Sequence, residues 1–89
     1  MLKTTTTLRS LDSLATRVSG EIAGIDWHLL PPAEAARLRN FGFDEGVTVT
    51  PMHRAPFGAD PLAVRVGRMT VAIRRAHAAA VKVALPAAG

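Results

Sequence analysis

The sequence predicts a small, mainly β fold: a partly open barrel of five short strands with one inserted α-helix and short helical turns. Three observations predict it. Valine and isoleucine alternate with polar or small residues in several runs of five to eight, glycine and proline punctuate those runs, and one stretch has a helical composition. A chain of 89 residues forms one core and no second.

Residues 1–7, with four consecutive threonines after Lys3, show no period that buries a face, so they are expected to be a flexible tail. Leu8, Leu11 and Leu14 recur every third residue, which suits one helical or 3₁₀ turn laid over a barrel end. Residues 18–25 carry β-branched Val18, Ile22 and Ile25 between glycines and predict a bent first strand, bulged near Gly20 or Gly24.

Pro31 and Pro32 suit a helix start, and residues 33–39 (AEAARLR) have high helix propensity, with Glu34 early and Arg39 late. Ala35, Leu38 and Phe41 share one face, which is expected to pack inward. Gly42 is placed to stop the helix in a left-handed conformation, and Asp44, Glu45 and Gly46 turn the chain into a second strand. In that strand, residues 46–54, Val47 and Val49 alternate with Thr48 and Thr50, while Pro51 removes a ladder donor and implies an edge or a bulge. Two further strands follow, residues 62–66 and 69–73, joined through Gly67 and Arg68 as a two-residue turn. An alanine-rich turn over residues 75–80 leads to a last strand carrying Val81, Val83 and Leu85, ended by Pro86. Residues 8–86 thus form the single domain, with 87–89 as a tail, and an SH3-like barrel is the simplest closure for these strands.

Composition narrows the function classes. There is no cysteine, which removes thiol nucleophiles and cysteine-based metal sites and fits a cytoplasmic protein. Only Trp27, Phe41, Phe43 and Phe57 are aromatic, too few for a large aromatic pocket or a base-stacking platform. Charge is uneven: the five Lys and Arg of residues 1–53 face six Asp and Glu, whereas residues 54–89 carry six cations against Asp60 alone. A basic second half suits an acidic partner.

No motif points to catalysis. Ser10, Ser13 and Ser19 stand in no nucleophile elbow, and no glycine-rich phosphate loop occurs. His28, His53 and His77 are scattered, with only Asp26 near His28 and Met52 beside His53, so no metal site and no cofactor are expected.

Three strings then resemble the FeoA family, a small component of bacterial ferrous iron uptake, over residues 8–83. LRNFGFDEG at 38–46 resembles the family's helix end and entry into the second strand. APFGADPL at 55–62 resembles its Ala-Pro-Leu-Gly-Asp-Pro loop, and VAIRR at 71–75, with Ala78, Val81 and Val83, resembles its closing segment. Phe41 stands where leucine is usual, Ala59 lengthens the Gly-Asp-Pro step, and Ala15-Thr16-Arg17 lacks a glycine common before the first strand.

The resemblance implies an SH3-like fold, no enzymatic activity and a partner in FeoB, a ferrous iron permease with a cytosolic GTP-binding domain. That partner would recruit the protein to the inner face of the cytoplasmic membrane. The candidate partner-binding residues are Arg54, Phe57, Asp60 and Arg65, a proline-stiffened loop with an apolar tip between guanidinium groups. The alternatives are a basic SH3-like nucleic-acid-binding module, for which stable binding is not expected, and the related interaction domain of metalloregulators.

Overall fold

The computed structural model describes residues 6–56 and 60–86. Six strands form a single antiparallel sheet: β1 (Thr6–Ser10), β2 (Gly20–Ile25), β3 (Thr48–Arg54), β4 (Leu62–Val66), β5 (Met69–Ile73) and β6 (Val81–Pro86). Their order across the sheet is β1-β6-β2-β3-β4-β5, so β1 and β5 are its two ends and the barrel stays open. Helix α1 (Pro32–Asn40) is inserted between β2 and β3, and the short α2 (Arg75–Ala78) between β5 and β6.

The sheet has one strand more than the five expected. Residues 6 and 7, assigned by their sequence to the tail, pair with Pro86 and Leu85, and Leu8 pairs with Ala84. The threonine run has no buried face to announce itself; β1 exists because β6 offers an edge to pair with. Leu8 accordingly stays 62% exposed, while Leu11 and Leu14, in and after the 3₁₀ turn Leu11–Ser13, are buried.

The other elements follow their sequence signals. The register of β2 against β6 shifts between Ile22 and Gly24, a bulge at the second of the two expected places. Gly20 is required by a close approach: a Cβ there would run into the side chains of Val83 and Leu85 on β6. Gly42 ends α1 at φ 93°, the left-handed conformation that stops a helix at little cost only in glycine. On α1, Ala35 and Leu38 are buried, whereas Phe41 is half-exposed and Phe43, beyond the glycine, fills the core.

Pro51 produces the expected bulge, since the β3 to β4 register shifts between Pro51 and His53. It lies in the buried interior of the sheet, and its carbonyl accepts the Arg17 N–H at 2.6 Å. Arg17 reaches it at φ 70°, left-handed backbone in a residue that is not glycine. In the β4 to β5 hairpin only Gly67, at φ 59°, is left-handed and Arg68 is not, the pattern of a type II′ turn.

Val49, Leu62, Val64, Ile73, Val81 and Val83 face inward and meet Leu11, Leu38 and Phe43 in one apolar core. Each such side chain contributes about 1.5–3 kcal/mol on burial. No charged or polar side chain is buried among the described residues.

Candidate docking surface

Arginines and two short helices shape a cleft that brings polar groups together at the β5 end of the sheet. On α1, Glu34 and Arg37 stand one turn apart, and Glu34 Oε2 accepts Arg37 Nη1 at 2.9 Å. The other terminal nitrogen, Arg37 Nη2, donates to the Ala72 carbonyl on β5 at 2.6 Å, which ties helix to sheet edge. From α2, His77 Nδ1 sits 3.4 Å from the same Glu34 oxygen without hydrogen-bond geometry. Glu34, Arg37, Pro61, Ala72, Arg74 and His77 enclose a shallow cleft of about 230 Å³. A second hollow of about 220 Å³, formed by Asp60, Pro61 and Arg74, adjoins it.

Two of the sequence-predicted residues belong to this neighbourhood. Asp60 Oδ1 accepts the backbone N–H of Arg75 at 3.0 Å, capping α2, whose own N-cap residue Arg74 makes no side-chain cap bond. Arg65 is exposed on β4 opposite Thr70, and the alternation of strand side chains puts it on the sheet face that carries Ala72. It is one diagonal step from the cleft.

Arg54 is placed differently. Its guanidinium is half-buried and donates through Nη2 to the carbonyls of Leu14 (2.6 Å) and Asp12 (3.1 Å), so it pins β3 to the turn before β2. Phe57, the expected apolar tip, lies outside the described residues. Arg37 and Arg74 were not singled out by sequence reasoning; the only signal was an Arg-Arg pair closing a strand and an arginine one helical turn after a glutamate.

The remaining candidate chemistry is sparse. Among the described residues no three of His, Asp and Glu converge, and His28 and His53 are both exposed. Trp27 packs against the core and its ring is covered by the Arg39 guanidinium, 4.1 Å from the centroid, so one face is already stacked. No described helix is long and apolar enough to cross a membrane.

The FeoA domain family matches residues 9–85. The chain belongs to the FeoA family. Among solved structures, FeoA of Stenotrophomonas maltophilia is 32% identical with a TM-score of 0.72, over 84% of this chain and 88% of that one. That protein was crystallised with zinc and is described as a prokaryotic SH3 domain protein and a candidate ferrous iron transport activating factor. FeoA of Chlorobium tepidum is 26% identical with a TM-score of 0.75, over 91% of this chain and 72% of that one. A manganese-dependent transcriptional repressor shares the fold (TM-score 0.73) at 20% identity, over 89% of this chain but 42% of its own length. No curated protein matches the chain.

Membership confirms the SH3-like, mainly β fold and links this FeoA-family chain to ferrous iron transport. The extra strand β1 is an addition to the expected five, not a change of class.

Proposed function

We propose that this FeoA-family protein is a noncatalytic accessory component of ferrous iron uptake that binds the cytosolic part of a FeoB-type permease and modulates its assembly, gating or GTPase cycle. The observation that carries the reading is the family match across residues 9–85, nearly the entire chain. Its mode of action is binding: the described residues hold a shallow arginine-lined cleft, and nothing in it resembles a nucleophile beside a base. Contact runs through Arg65, Asp60 and the loop that carries Phe57, on the basic second half of the chain, where exposed guanidinium groups meet carboxylates of the partner. Arg54, engaged with two backbone carbonyls, supports that loop's base and contributes little direct contact. The cytoplasmic face of the membrane is where such a partner would hold it.

Co-purification from iron-starved cells tests the reading. Tagged wild-type protein is expected to bring down the permease, and Arg65→Glu and Phe57→Ala to weaken the yield visibly. Retention of the permease by neither wild type nor variants sinks it.

A further inference from the structure

The register of β5 against β4 reveals which of its backbone groups are free. Val66 and Met69 flank the two-residue turn and form its hydrogen-bonded pair, and along an antiparallel ladder such pairs alternate with non-bonded ones. Val71 and Ile73 therefore point their N–H and C=O groups at β4, while Thr70 and Ala72 point theirs away from it. The Arg37 bond is independent support: the guanidinium reaches the Ala72 carbonyl at 2.6 Å from the free side. Besides the bonds within strands and helices, no backbone bond among the described residues uses Thr70 or Ala72.

The chemistry around this edge is one-sided. Arg68 is the second residue of the turn at one end, Arg74 follows the strand at the other, Arg65 lies on the neighbouring strand and Arg37 leans in from α1. The two nearby carboxylates are already engaged, Glu34 by Arg37 and Asp60 by the Arg75 N–H. Side chains on the edge itself are small or slender: Met69, Thr70 and Ala72 are all exposed and leave the backbone accessible.

We propose that the free edge of β5 accepts an extended acidic segment of a partner protein as a seventh strand. The backbone groups of Thr70 and the N–H of Ala72 supply the ladder, and the flanking guanidinium groups select carboxylates. A second copy of this chain is disfavoured, because antiparallel pairing of two β5 strands about Val71 sets Arg68 opposite Arg74 of the other copy. The inference goes beyond the permease reading, since it specifies a ligand chemistry that any donor protein can present.

The test uses the full chain and two blocked synthetic heptapeptides, Glu-Val-Glu-Thr-Glu-Val-Glu and the same sequence with lysine for glutamate, without any permease. Exchange of the Thr70 and Ala72 amides is expected to slow about tenfold at saturation with the acidic peptide and to stay unchanged with the basic one. Thr70→Pro removes a donor outside the β4 ladder and is expected to weaken binding about tenfold, as is Arg74→Glu. Arg74→Glu keeps the proposal testable if the proline variant misfolds. Equal binding of the lysine peptide, protection confined to another surface, or unchanged affinity in Arg74→Glu overturns it, as does concentration-dependent dimerisation that protects the same two amides.

Discussion

Arg54 holds the Leu14 carbonyl at 2.6 Å, a bond across 40 positions of sequence that ties the end of β3 to the turn leading into β2. The same nitrogen reaches Asp12, so two carbonyls on a half-buried turn depend on one guanidinium. Removing it strands both acceptors. Arg54→Ala is expected to lower stability by about 2 kcal/mol in urea unfolding, with Arg54→Lys recovering only part of the loss. An unchanged unfolding midpoint would show that the bonds carry no weight.

Gly20 faces β6 where no Cβ fits. Gly20→Ala drives a methyl into Val83 and Leu85, both attached to the strand that holds β1 and β2 together. The expected loss is about 1–3 kcal/mol, read as a lower thermal midpoint. Gly24, with open space around it, is the matched control: Gly24→Ala is expected to change stability by less than about 1 kcal/mol.

Arg17 is the converse case. Its φ of 70° is left-handed, a conformation that a residue with a Cβ adopts at a cost. Arg17→Gly relieves about 1–2 kcal/mol of backbone cost and returns part of that as unfolded-chain entropy. A net gain of up to about 1 kcal/mol is expected; a loss would show that the arginine side chain supplies more than its backbone costs.

Asp60 caps α2 from outside the helix. Asp60→Ala is expected to speed exchange of the Arg75 amide and to cost about 1 kcal/mol, whereas Asp60→Asn, which keeps an oxygen acceptor, costs less. Equal effects of the two variants would point to charge instead of the hydrogen bond.

Much of the architecture was readable because burial leaves a period. Strand β4 carries that period plainly, with Leu62, Val64 and Val66 buried and Arg65 exposed between them, and α1 is bounded by Pro32 and Gly42 as its residues require. What escaped was whatever depends on distant partners. β1 lies at the sheet end with Leu8 exposed, so its residues carry no inward stripe, and the leucine spacing of three announces only the turn that follows. Phe41 and Phe43 are two residues apart across a left-handed glycine, and only the backbone reversal at Gly42 decides that Phe43 takes the core position.

The candidate surface was legible in its charge and not in its geometry. A basic second half is plain from composition, yet exposed and committed arginines read alike in a sequence. Arg65 proves exposed, while Arg54 is committed to Leu14 and Asp12, and Arg37 joins the surface from the other half of the chain by way of Ala72. Those are long-range hydrogen bonds, which local pattern does not encode.

We propose that this FeoA-family protein binds the cytosolic part of a FeoB-type permease through its exposed arginines. Isothermal titration of the purified permease cytosolic region with wild-type protein and with Arg65→Glu, at low and at physiological salt, measures this. Saturable binding that weakens at least about tenfold in Arg65→Glu and falls with salt is the predicted result. No binding by the wild type, or equal affinity of the two proteins at both salt concentrations, would contradict it.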